Sequence, residues 1–195
     1  ASIGSDTGGS VRIPAAWNNL VGLKTTHGVI DLTGVLKLCP SFDTLGPICK
    51  TVDDASLLFS AMTNGTFQKP RRLKSRNFKF LIIENLFFES IDSDIKDSFN
   101  IAIEKIIRSG ATIEYKNLSE IDNAFEISKT VFPAEAYGIW QHEIEENPEK
   151  MFTPIRERFQ SGRNILAHDY IFSLHKLFDL RMSFLQKIMG FDAIL

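Results

Sequence analysis

Apolar positions recur at helical spacing in four stretches of the chain, and at strand length in two more. Thr51, followed by Asp53 and Asp54, predicts a helix start: a hydroxyl that can cap free N–H groups, then acids near the positive helix end. Leu57, Leu58, Ala61 and Met62 continue that helix, and Gly65 predicts its stop. Further on, Ile95, Phe99, Ala102, Ile103 and Ile106 form one apolar stripe that should end at Gly110. "FKFLIIE", Phe78 to Glu84, and "ATIEYK", ending at Lys116, flank this helix and read as strands. Residues 78–116 therefore predict a strand–helix–strand unit with parallel strands.

From Leu118 the pattern is mostly helical. Helices are expected over Ile121–Glu145, interrupted at Pro133, and over Ala167–Met189. Phe125, Phe132, Tyr137, Trp140, Phe172, Phe178 and Phe184 make these helices dense in aromatic residues, which predicts a core layer with some members free to line a pocket. Residues 1–50 differ. They are rich in Gly, Pro, Ser and Thr, and the runs "LVGLK" and "GVLKL" predict short strands between turns.

Composition narrows the function class. Hydrophobic residues are 44% and charged residues 24% of 195, as expected of a globular chain with one sizeable core. The formal net charge of −2 gives no basic field, so direct nucleic-acid binding is not expected. The concentrated basic stretch "KPRRLKSR", Lys69 to Arg76, reads as a solvated linker, with a contact surface as the alternative. No apolar run reaches the roughly 18–20 residues of a membrane span, and no membrane partner is expected. Two cysteines, Cys39 and Cys49, are too few for a disulfide framework, so a reducing, cytoplasmic location is expected. They also lack the neighbours of a zinc site, and no metal or cofactor is expected.

The candidate chemistry lies in "GSDTGGSVRIP", residues 4–14. Glycine is costly unless the backbone must bend or approach a ligand closely, so Gly8 and Gly9 ahead of Ser10 suggest a built site. A serine hydroxyl needs a base and preorganised donors before it attacks a carbonyl. Thr7, Gly8, Gly9 and Ser10 could supply converging N–H groups, although a phosphate-binding or purely structural turn would use the same residues. Asp6 and Arg12 flank the turn and could lock it through charge-assisted hydrogen bonds. His27, His142, His168 and His175 lie in no nucleophile-elbow context, and the spacing of the last two does not suit a helix-borne metal pair.

The longer run "GSDTGGSVRIPAAWNNLVGLKTTHGVI", residues 4–30, followed by "SFDTLGPICKTVDDASLL", residues 41–58, resembles the amidase signature family of serine amidohydrolases. "RERFQSGRNILAHDY", residues 156–170, extends the resemblance weakly. It implies an α/β fold with a mixed sheet flanked by helices on both faces. Residues 1–195 would be part of one such domain, with the signature in 1–58 and a variable, substrate-shaping region in 59–195. It also implies a Ser–cis-Ser–Lys triad. Ser10 would be the acyl-ester nucleophile, the N–H groups of Thr7, Gly8, Gly9 and Ser10 the oxyanion hole, and Asp6 and Arg12 the loop braces. Asp43, inside "PSFDTLGP", is expected at a structural or pocket-rim position.

The family's lysine and cis-serine both precede the nucleophile, and nothing before Ser10 matches them. Ser2 and Ser5 lack the context, and Lys24 belongs to the "GLK" segment, where it is not the base. The expectation is a C-terminal fragment of the domain, inactive by itself. Two activities are implied. One is an amidase acting on a small-molecule amide, with a homodimer left open. The other is the A subunit of a glutamyl-tRNA amidotransferase, whose partners would be the other subunits. "HGVIDLTGVLKLCPSFDTLGP" resembles the general amidase version and favours the first. An inactive, amidase-derived binding module is the third reading.

Overall fold

A computed structural model describes residues 1–65, 77–85 and 91–195. The basic stretch 69–76 lies outside the described residues. The contacts divide the chain into two compact units, Ala1–Arg72 with Val131–Ile165, and Leu73–Thr130 with Leu166–Leu195.

In the first unit, β1 (Ser2–Asp6), β2 (Val21–Gly22) and β3 (Thr44–Cys49) form an antiparallel sheet in the order β1-β3-β2. β3 is central and mostly buried, and its register sets Thr44 opposite Asp6. α1 (Arg12–Trp17) follows the glycine turn, and α2 (Val52–Met62) follows β3. Thr51 caps α2 as its sequence implies, its side-chain oxygen accepting the Asp54 N–H at 3.1 Å. "LVGLK" contributes β2, but "GVLKL" forms no strand. There the Leu38 N–H is taken by the Asp43 carboxylate at 2.8 Å, so a side chain replaces a ladder partner.

α4 (Ser119–Glu146) runs unbroken through Pro133, contrary to the expected interruption. An interior proline removes one helix hydrogen bond and crowds the preceding turn, at a cost of about 3 kcal/mol. Packing offsets this cost. Val131 and Ala136 are fully buried, and Ala136, Tyr137 and Ile144 form a core with Phe159 of α5 (Thr153–Gln160). Phe132 meets Phe159 edge-to-face at 6.1 Å and carries the Arg158 guanidinium 4.3 Å above its ring.

In the second unit, β4 (Lys79–Ile83), α3 (Ser93–Arg108) and β5 (Thr112–Lys116) are the predicted strand–helix–strand unit, with β4 and β5 parallel. The short β6 (Ala193–Ile194) joins the other edge of β4, also parallel. Among the described residues, the mixture of antiparallel and parallel pairing expected of the sheet is thus shared between two three-stranded sheets. Leu81 and Ile82 of β4 are almost completely buried, each contributing about 1.5–3 kcal/mol of apolar burial. α6 (Ala167–Ile188) packs Phe184 and Ile188 against Leu81, Ile83 and Leu118.

The aromatic layer is only partly core. Phe132, Tyr137, Trp140 and Phe184 join the two clusters, whereas Phe125, Phe172 and Phe178 are exposed. Among the described residues, no helix is long and apolar enough to cross a membrane.

Candidate active site

The site begins where β1 ends. Asp6 is the last residue of the strand, held by its pairing to β3 and by the Thr44 hydroxyl, which donates to the Asp6 carbonyl at 2.9 Å. Its side chain is completely buried. A buried carboxylate must be satisfied by donors, and this one receives them from the turn next in the chain. Gly9 N–H donates to Oδ1 at 2.8 Å, and Val11 N–H donates to Oδ2 at 3.2 Å. The Arg12 guanidinium adds two parallel bonds, and the Arg12 N–H makes a longer contact of 3.4 Å. Burial alone would push the Asp6 pKa up. The Arg12 hydrogen bonds and the N–H groups of Gly9 and Val11 outweigh it and hold the carboxyl at about 2.

These bonds fold residues 7–12 around one anion. Gly9 adopts φ +131°, a backbone conformation that requires glycine, while an added Cβ would meet only the end of the exposed Ile13 side chain, at 2.7 Å from Cδ1. Gly9 O then accepts the Ile13 N–H at 2.7 Å, which starts α1. Gly9 and Val11 are buried, and Ser10 between them is exposed. The serine is therefore presented outward by a turn anchored on both of its neighbours.

Thr7 is held by a second carboxylate. Its hydroxyl donates to Asp43 Oδ1 at 2.5 Å, while Asp43 Oδ2 accepts the N–H groups of Leu38 and Cys39 at 2.8 and 3.0 Å. Asp43 also lines a small cleft with Ser5, Leu32, Val35, Leu36, Lys37 and Thr44. Its space, about 10 Å³, suits a single water. Glu135 of α4 reaches the chain segment just before Asp43, accepting the Ser41 N–H at 2.9 Å and the Ser41 hydroxyl.

The structure thus brings Asp6, Thr7, Gly8, Gly9, Ser10 and Arg12 into one turn, with the Gly9 N–H bonded to Asp6. The other candidate residues have different partners. Lys24 Nζ donates to Thr25 O at 3.0 Å, and His27 Nε2 lies 2.8 Å from Pro40 O. His142 and His168 pair with Glu146 and Asp169 on their own helices. Cys39 and Cys49 are free thiols, both buried. Among the described residues no cluster of three metal-binding side chains occurs. Glu135 is invisible to sequence reasoning because 94 residues separate it from Ser41 and no local pattern links them.

The amidase family model matches residues 1–195. The chain belongs to the amidase family. Among relatives, this amidase-family chain is 32% identical over 149 residues to the A subunit of glutamyl-tRNA(Gln) amidotransferase from Ruminiclostridium cellulolyticum, an alignment covering 69% of the chain and 31% of that protein. An amidase of Pseudomonas putida is 28% identical over 182 residues, covering 86% of the chain and 39% of the relative. A crystal structure of an amidase superimposes with a TM-score of 0.89 at 26% identity, over 99% of this chain and 44% of that one. The chain spans less than half the length of each of these three proteins.

Proposed function

We propose that this amidase-family chain carries the nucleophile of an enzyme that hydrolyses a carboxamide or related C–N bond, and that the nucleophile is Ser10. One observation supports this above the others: the buried Asp6 carboxylate gathers the Gly9 and Val11 N–H groups and the Arg12 side chain, leaving Ser10 exposed between two anchored neighbours. A nucleophile on a rigid turn needs little reorganisation as it attacks.

In the proposed reaction the Ser10 Oγ adds to the amide carbonyl carbon as its proton passes to a base. The carbonyl oxygen becomes an oxyanion facing the Thr7–Ser10 backbone. Because the Gly9 N–H is engaged by Asp6, Thr7, Gly8 and Ser10 are the donors to test first. Collapse of the tetrahedral species breaks the C–N bond, and the nitrogen leaves as ammonia or an amine after taking up the proton. Water then hydrolyses the Ser10 ester and restores the hydroxyl. The family resemblance assigns the base to a neutral lysine acting through a cis-serine, both ahead of the nucleophile. Burial lowers the pKa of such an amine enough for it to accept a proton near neutrality.

The substrate under this reading is a small linear amide. The similarity to the R. cellulolyticum amidotransferase protein supports a second reading, in which the amide is glutamine and the ammonia serves a multi-subunit complex. Ammonia release by the full-length gene product, measured on a carboxamide panel that includes glutamine, separates the two. Turnover of simple carboxamides by the isolated protein supports the first reading. Release from glutamine alone supports the second, and no release from any amide leaves the inactive binding module.

A further inference from the structure

The glycines at 8 and 9 are anchored on either side by different carboxylates. Asp6 fixes the C-terminal side of the turn, through Gly9, Val11 and Arg12, whereas Asp43 fixes its N-terminal side, through the Thr7 hydroxyl. Asp43 can do so only if its own turn is held. That turn closes on itself through the N–H groups of Phe42 and Asp43, which both donate to Cys39 O at 2.8 Å. It is tied from outside by Glu135. This carboxylate takes the backbone N–H and the hydroxyl of Ser41, two residues before Asp43. The buried Cys39 thiol lies beside it as well: burial, and then the hydrogen bond to Glu135, push the thiol pKa up. Trp140, five residues along α4, adds a parallel tie by donating its ring N–H to Lys37 O at 3.0 Å.

We propose that Glu135 is a positioning residue for the Ser10 turn, acting through Ser41 and Asp43 on Thr7. The inference rests on the reading of Ser10 as nucleophile and of the Thr7–Ser10 backbone as oxyanion donor. The connection is physically continuous: α4 to Glu135, Glu135 to Ser41, the 39–43 turn to Asp43, and Asp43 to Thr7. A two-oxygen acceptor can hold an N–H and an O–H of one residue together, fixing the turn in orientation as well as position. Oxyanion donors displaced by about 1 Å lose a large part of their effect, so a loosened Thr7 should cost turnover more than substrate affinity.

The test uses the full-length gene product carrying Glu135→Ala, Glu135→Gln, Ser41→Ala or Thr7→Val. For each variant kcat, KM and melting temperature are measured, together with the rate at which a fluorophosphonate probe labels Ser10. For Glu135→Ala, kcat per labelled site should fall about tenfold or more with KM within about twofold, and labelling should slow in parallel. Glu135→Gln keeps one acceptor oxygen and should fall between this variant and wild type. A lowered melting temperature with kcat per labelled site unchanged would overturn the proposal, because Glu135 would then serve stability alone. If Glu135→Ala does not fold, the Glu135→Gln and Thr7→Val pair decides. Their effects on kcat should be strongly non-additive if they lie on one connection, and full additivity would overturn it. Ser10→Ala is measured in the same series. Turnover surviving in that variant defeats the nucleophile reading itself, whereas a silent Ser10→Ala beside an unaffected Glu135→Ala defeats only the role of Glu135.

Discussion

The Asp6 carboxylate and the Arg12 guanidinium meet through two parallel hydrogen bonds, Nε to Oδ2 and Nη2 to Oδ1, each 3.0 Å. The two partners are unequally placed: the Asp6 side chain is 0% exposed and that of Arg12 is 51% exposed. The buried partner organises the turn, because it also holds the backbone. The guanidinium lies on the solvent side of the carboxylate, where water weakens an ion pair.

This asymmetry orders two substitutions. Asp6→Asn places an NH₂ group among donors and leaves buried N–H groups unpaired, and should destabilise the protein by about 3 kcal/mol. Arg12→Ala removes a half-exposed partner and should cost about 1 kcal/mol. Urea denaturation of both variants checks the order. A larger loss for Arg12→Ala would contradict it.

Acid should act through the same carboxylate. Asp6 titrates at about 2 in the fold against an ordinary value of 3.8. In the second unit, hydrogen bonds from Lys187 and then Ser183 hold Glu120 at about 2, against 4.5. Both groups bind protons more weakly folded than unfolded, so their stabilisation is complete above the unfolded values and is lost as the pH falls towards 2. Stability should therefore decline between about pH 4.5 and pH 2. Denaturation midpoints across this range should fall less steeply for Asp6→Asn than for wild type.

Two glycines should refuse even a methyl group, for different reasons. At Gly9 the backbone is left-handed, and the exposed Ile13 side chain that the added carbon would meet can swing aside, so the strain is in the backbone: Gly9→Ala should cost about 1–3 kcal/mol and abolish turnover by moving Ser10. At Gly162 the carbon would lie 2.0 Å from the Pro133 carbonyl oxygen, a backbone atom that cannot rotate away. Gly162→Ala should lower the melting temperature without first affecting Ser10. Thermal melts paired with fluorophosphonate labelling separate the two cases.

Neither cysteine should react in the native protein. Cys39 is 0% and Cys49 3% exposed, and burial raises the Cys39 thiol pKa further from neutrality. A thiol reagent should label both residues only after unfolding. Rapid labelling of Cys39 under native conditions would contradict the packing of the 39–43 turn.

The sequence is most informative where structure is made locally. The Thr51 cap and the helix that carries Ile95 to Ile106 need only neighbours along the chain, and both are present. The two flanking strands pair across that helix, yet their apolar runs of strand length mark them in the sequence. It is least informative where distant partners decide. β1, with the polar sequence "SIGSD", is a strand because β3 pairs with it, and the six-residue α1 begins on a bond to Gly9. α4 continues past Pro133 because buried Val131 and Ala136 hold it on either side. In the site, Asp6, Gly9, Ser10 and Arg12 lie close together in the chain and are legible as a unit. Asp43 and Glu135 join through contacts that span 36 and 94 residues, beyond any local pattern.

Whether Ser10 forms an acyl-enzyme decides the proposed chemistry. The direct measurement is mass spectrometry of the full-length gene product quenched during turnover of a carboxamide or glutamine. It should find an acyl adduct on the peptide containing Ser10, absent from Ser10→Ala, together with loss of ammonia release in that variant. An adduct on another residue, or ammonia release that survives Ser10→Ala, would contradict the assignment.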